Sequence, residues 1–317
     1  MRADAGQVIA PFLLRFAAFS AFITGNLKAG QMERSSAGWG SGLIGVIIFS
    51  GSLPATRIAV ADFSPIFLTS ARAVIAGLLG AIFLIALRQT LPLRKEIFPL
   101  LVVSLGVVLG FPLLTGFALQ HVTAAHSIVF LGLLPLATAI FGVLRGGERP
   151  KPAFWAFSMF GAATVAGFAL SRSDGGSMLG NALMVAAILL CGLGYAEGAT
   201  LSRRLGGWQV ISWALLLSLP AMAIIAMFTA PVMWTSVGMP AWVSLAYVSI
   251  FSMLVGFIFW YRGLALGGIA RVGQLQLLQP FFGLVLAAVF LGEPISWGMI
   301  ASTLVVVLCV AGAKRFT

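Results

Sequence analysis

From residue 39 onward the chain is a succession of long apolar runs separated by short breaks rich in Gly, Pro and charge. Stretches such as "LLGAIFLIAL" and "ASTLVVVLCVAG" are apolar at consecutive positions, so their patterning is that of buried helices and not of alternating barrel strands. A helix needs roughly 20 apolar residues to cross the hydrocarbon layer. Division at the breaks predicts spans over 39–57, 65–87, 97–119, 124–144, 153–170, 178–201, 208–228, 242–261, 270–291 and 296–313. The expected fold is an all-α membrane protein with ten transmembrane helices.

Composition removes the soluble alternative. Of 317 residues, 60% are hydrophobic and 9% charged, with a mean hydropathy of +1.08. A soluble domain carries about a quarter charged residues because its surface faces water. The net charge of +11 does not point to nucleic acid, since the basic residues lie in small groups at helix ends and not on one soluble face. They collect in every second loop: Arg88, Arg94 and Lys95; Arg145, Arg149 and Lys151; Arg203 and Arg204; Arg262; then Lys314 and Arg315. The alternate loops hold only Arg57 and Arg172. By the bias of Lys and Arg toward the cytoplasm, both termini are expected inside, in a bacterial-type inner (plasma) membrane. Cys191 and Cys309 fall within spans, away from any His or Cys at ligand spacing, so neither a disulfide framework nor a metal site is expected. Residues 1–37 are partly apolar but interrupted by Arg15, a poor match to a signal peptide; an amphipathic surface segment or a start placed too far upstream is expected there.

The run "LPLATAIFGVLRGGERP" is echoed by "LQPFFGLVLAAVFLGEP". Pro135, Glu148 and Gly167 are spaced by 13 and 19 positions, as are Pro280, Glu293 and Gly312, and Ala125 and Ala270 each lie 10 before their proline. One offset, 145, relates all four pairs. Five helices per half is an odd number, so the halves enter the membrane from opposite sides and form an inverted repeat, the arrangement of secondary transporters with a site near the midplane. The expected units are residues 38–171 and 172–317, after the tail.

The segments "ALQHVTAAHSIVFLGLLP" with "GGERP" and "ALGGIARVGQLQLLQP" with "LGEP", together with "FSPIFLTSARAVIAG", resemble the EamA repeat of the drug/metabolite transporter superfamily over about residues 39 to 315. The resemblance implies ten helices, two inverted five-helix halves and a central cavity, commonly used to export amino acids or other small metabolites. The chain departs from the family's pattern in the first helix, which reads "FSGSLPATR" in place of a Trp-Gly pair and a polar residue, and in the second half, which has no match to Arg72.

Candidate residues follow from the cost of polar groups in hydrocarbon. Glu197, in "CGLGYAEGATLSRR", either meets an ammonium group or a proton in the cavity, or reaches the inner interface and pairs with Arg203 or Arg204; Tyr195 beside it is a candidate cavity residue. Arg72 either anchors its helix end or pairs with Asp62 or a substrate carboxylate. Gln274, Gln276 and Gln279 form with Arg271 a broad polar face on the ninth span, suited to polar solutes or to interhelical bonds. Phe111, Thr115, Phe130 and Trp260 are candidates for the cavity wall, and His121 and His126 for polar residues near the outer mouth. Pro135, Pro280, Glu148 and Glu293 are expected to be structural, the carboxylates as caps on helix ends.

With no G-x-x-x-x-G-K-[ST] loop, ATP does not drive this chain directly. The expected function is secondary export of small metabolites such as amino acids by alternating access, with no cofactor and no catalytic residues. The bilayer and a small-molecule substrate are the expected partners, nucleic acid is not, and one chain suffices for the cavity. A flippase-like lipid-handling protein or a membrane enzyme remain the alternatives.

Overall fold

The computed structural model describes residues 31–147, 151–171 and 177–313. Most of the amino-terminal tail (residues 1–30) and Glu148 lie outside the described residues. Ten helical elements follow one another: α1 Ser36–Ala59, α2 Pro65–Ala86, α3 Arg94–His121, α4 Ala124–Arg145, α5 Pro152–Ser171, α6 Met178–Leu205, α7 Gly207–Phe228, α8 Met239–Gly267, α9 Arg271–Leu291 and α10 Trp297–Ala313. Among the described residues, eight of these (all but α5 and α10) are long and apolar enough to cross a membrane, and Trp297–Cys309 in α10 is a shorter apolar stretch. The protein is an all-α, multi-pass membrane protein.

The 145-residue offset recurs in the backbone. α4 ends on Gly147 at φ 68° and α9 ends on Gly292 at φ 62°, both in the left-handed region that glycine enters at no steric cost. A wide π-helical segment interrupts α3 at Ser104–Gly110 and α8 at Tyr247–Val255. A tight 3-10 turn interrupts α4 at Leu131–Leu133 and α9 at Gln274–Leu277. Proline explains the last pair. Pro135 and Pro280 offer no N–H and crowd the carbonyl four residues back, so the α-helical ladder gives way just before each of them.

Equivalent helices run antiparallel. The start of α9 packs against the end of α4, and the end of α9 against the start of α4. Along α2 and α7, Gly77 lies against Leu215 and Leu219 while Gly80 lies against Ser212, again in opposite sense. The pairing of α1 with α8 has its counterpart in α6 with α3, and that of α4 with α6 in α9 with α1. α5 packs against α10 as α2 does against α7. The molecule is therefore two like units set head to tail.

Small residues hold these pairs close. Between lipid-facing helices there is no hydrophobic drive, so close backbone approach supplies much of the attraction. A Cβ on Gly263 would lie 2.7 Å from the backbone nitrogen of Gly42, and one on Gly106 would lie 2.6 Å from the carbonyl oxygen of Leu190.

The two units also complete each other's helix ends. The first N–H groups of a helix have no partner within it. In α4, Ala124 and Ala125 donate to Glu293 Oε1 and Oε2 at 3.0 and 2.7 Å. His126 N donates to Thr123 Oγ1 at 3.2 Å, and Ser127 N to the Thr123 carbonyl at 3.0 Å. Glu293, just past the end of α9 in the second half, thus caps a helix of the first.

Replacing Glu293 by Ala strands two backbone donors, and thermal unfolding of the purified protein is expected to show a loss of about 2 kcal/mol or more, with Glu293→Gln recovering part of it. Gly263→Ala pushes backbone against backbone and is expected to cost about 1–3 kcal/mol. Gly40→Ala, where a Cβ meets nothing within 4 Å, is the neutral control.

Candidate functional site

Between the halves lies a cavity of about 20 Å³, little more than the room one water molecule needs. α1 contributes Phe49, Ser52 and Leu53, α2 contributes Arg72, α3 contributes Val107, Phe111 and Pro112, and α4 contributes Leu134. From the second half come Tyr195 of α6, Ser252 and Phe257 of α8, and Gln279 of α9.

The local breaks described above position several of these side chains. Val107 and Ser252 sit at the same register, one in each π-helical segment. Such segments widen a helix by one residue per turn and recur at functional sites. Leu134 and Gln279 sit at the same register immediately after the two 3-10 turns. Duplication sets the positions, while the residue types differ. In both pairs the first half is apolar and the second half is polar.

Arg72 is the centre of the polar wall. It lies seven residues past Pro65, about 10 Å along the helix axis, and is 5% exposed. Its Nη2 donates to Ser252 Oγ at 3.3 Å, and Ser252 Oγ shares a 2.6 Å hydrogen bond with Ser52 Oγ. Its Nε has no partner among the described residues. It neither anchors a helix end nor meets Asp62, which instead accepts from Gly238 N at 2.8 Å. Gln279 Nε2 makes a long 3.4 Å bond to the Phe49 carbonyl, and Gln279 Oε1 is unpartnered.

Much of the remaining lining is aromatic. The Phe49 ring meets Phe257 edge-on with centroids 5.0 Å apart, and Tyr195 meets Phe257 at 5.8 Å. Trp260, fully buried, stands behind them with its centroid 5.5 Å from Tyr195, and its Nε1 finds no partner. Gln276 is also fully buried.

The remaining sequence candidates lie elsewhere. Glu197 is bonded at 2.8 Å to Nε of Arg145, the last residue of α4. It is not among the cavity-lining residues. Arg204 instead pairs at 2.8 Å with Glu96, a carboxylate whose other oxygen accepts from Leu93 N at 2.8 Å. Thr115 Oγ1 bonds back to the Phe111 carbonyl at 2.7 Å within α3, and Phe130 is buried against His126 with centroids 5.5 Å apart; neither lines the cavity. His126 Nε2 bonds Asn181 Oδ1 at 2.8 Å. Gln274 sits in the 3-10 turn, and its side chain lies outside the described residues.

The lining serines, Ser52 and Ser252, were not singled out by sequence reasoning. A serine in an apolar span bonds as readily to its own helix as to another. The one available signal is the offset, which sets Ser252 opposite Val107. Among the described residues no cluster of His, Cys, Asp or Glu could hold a metal ion.

Comparison with known proteins agrees with this architecture. The profile of the EamA-like transporter family matches residues 37–170 and 178–313. The uncharacterized transporter YdeK of Bacillus subtilis (strain 168) is 64% identical over 285 residues, covering 90% of this chain and 99% of that protein. A second protein of the same organism, the uncharacterized transporter YvbV, is 24% identical over 284 residues, covering 85% and 89% respectively. One solved crystal structure superposes with a TM-score of 0.67 at 20% identity, covering 88% of this chain and 97% of the other, a likeness of fold.

Two interhelical ion pairs among the described residues differ in what their loss exposes. Glu96 is 3% exposed at its side chain and serves both Arg204 and a backbone N–H, whereas Glu197 is 11% exposed and serves an Arg145 that is 40% exposed. Glu96→Ala is expected to lower stability by about 2 kcal/mol and Glu197→Ala by about 1 kcal/mol or less, by equilibrium unfolding of the purified variants.

Proposed function

The chain belongs to the EamA-like transporter family, and from that membership we propose that it exports small metabolites, amino acids or related compounds, across the inner membrane by alternating access. The observation that carries the proposal is the head-to-tail pairing of two like units around a polar-lined space near the middle of their helices. In such a pair, rocking one unit against the other closes one end of the space as it opens the other, and the polar lining gives a solute partners to exchange for water.

The ends of the bundle hold contacts that fit this cycle. Glu293 bridges the halves at one end through Ala124 and Ala125, and Arg145 with Glu197 bridges them at the other. Each is a polar contact that water can replace when its end opens. The crowding of Lys and Arg at the end that holds Arg145 and Arg204 supports a cytoplasmic position for that end, with both termini on the same side. Among the described residues the cavity lining offers no His, Asp or Glu, which favours transport over acid–base chemistry.

Counterflow into proteoliposomes tests the reading. With saturating unlabelled solute inside, labelled amino acids and related metabolites are expected to accumulate transiently in at least one class. Folded protein that moves none of them sinks the proposal. Because Glu197 stands outside the cavity lining, Glu197→Gln is expected to leave the half-saturating solute concentration within about twofold of wild type while altering the rate, through the interdomain pair it weakens.

A further inference from the structure

We propose that the cavity is selective for organic anions, a carboxylate carried on an apolar body of about the size of an aromatic ring, with Arg72 as the group that binds the charge. This deepens the transport reading and rests on it.

The charge inventory leads there. Arg72 lines the cavity and is 5% exposed, and its hydrogen-bond partner is a neutral hydroxyl. The carboxylate side chains described are all engaged elsewhere: Asp62 on Gly238 N, Glu96 on Arg204, Glu197 on Arg145, and Glu293 on the first turn of α4. A guanidinium keeps its proton in proteins. A charge held in a membrane interior with no counter-charge is costly and is normally kept only for a function. A carboxylate entering the cavity supplies the missing partner.

Geometry agrees with charge. The Nε of Arg72 has no partner among the described residues and Nη2 meets only the Ser252 hydroxyl; the guanidinium edge these two nitrogens form is one that can take a carboxylate through two parallel bonds. Ser252 and Ser52 stand beside it as further donors, already linked at 2.6 Å. Phe49, Phe257, Tyr195 and Phe111 also line the cavity and offer ring faces and edges to an apolar body. For an ammonium group the described lining residues supply no anion, only neutral acceptors such as Gln279 Oε1. Affinity is therefore expected to fall from anion to zwitterion to cation when the body is held constant. The cavity, about 20 Å³, is far smaller than such a solute, so binding draws on the wider state of the transport cycle.

Three probes share a phenylethyl body and differ only in charge: 3-phenylpropionate, phenylalanine and phenethylamine. Their binding to the purified full chain in detergent is measured at neutral pH by isothermal titration, with thermal unfolding in parallel. We expect 3-phenylpropionate to bind about tenfold or more tighter than phenylalanine, and phenethylamine to give no detectable heat. Arg72→Gln is expected to weaken 3-phenylpropionate about tenfold or more without lowering the melting temperature, because it removes an uncompensated buried charge. Where Arg72→Gln does not fold, Arg72→Lys carries the test: a point charge without the fork is expected to bind at least about threefold more weakly. Absence of 3-phenylpropionate binding to folded wild type, equal or tighter binding of phenethylamine, or unchanged affinity in a folded Arg72 variant overturns the assignment. Counterflow separates the two readings. Saturable flux of some solute together with a different charge order removes the anion site alone; binding through Arg72 without any flux removes transport and leaves the site.

Discussion

A polar group inside hydrocarbon has no water to fall back on, so its partner has to come from the protein. In this chain the partner comes repeatedly from the other half. The amino-terminal end of α4 is completed by a carboxylate 169 residues away in sequence, and α1 lies close enough to α8 only because glycine faces glycine. Neither five-helix unit has these contacts by itself. Pairing head to tail supplies them, and it also leaves a space between the units where the pairing is least tight.

The same pairing explains why the cavity has a regular frame and an irregular lining. Breaks in the helices occur at matched positions because matched prolines and matched chain segments produce them. At those positions the halves have parted company chemically: Val107 against Ser252, and Leu134 against Gln279. Arg72 corresponds by the offset to Leu217, which is on the outside of the bundle. A symmetric shell thus encloses a site whose charge comes from one half and whose hydroxyl and amide come largely from the other. A solute held there touches both units, and this gives its binding leverage over their relative position.

Some of the site could be read from the chain and some could not. Arg72, Tyr195, Phe111 and Gln279 stand out because a cation, a phenol, an aromatic ring beside a proline and an amide are conspicuous in apolar spans, and all four line the cavity. Glu197 stood out for the same reason and lies elsewhere, bonded to Arg145. Depth along a helix is legible from spacing, but the identity of the neighbouring helix is not. Arg145 is 52 residues from Glu197 and Glu96 is 108 from Arg204, separations over which no local pattern operates. Ser52 and Ser252 were invisible for a related reason, since each acquires its meaning only from the other and from Arg72.

What the sequence determined alone was everything governed by transfer from water and by periodicity: that the chain enters a membrane, that it does so as helices, about where those helices begin and end, and that one pattern is written twice. These depend on the residue and its near neighbours, because hydrophobic transfer and helical hydrogen bonding act within a few turns. The tertiary structure alone decided which helix faces which, which of the described carboxylates are spent on ion pairs and caps, and that Arg72 meets a neutral hydroxyl. Those outcomes depend on distances between residues far apart in the chain, and only the antiparallel packing of the two halves sets them.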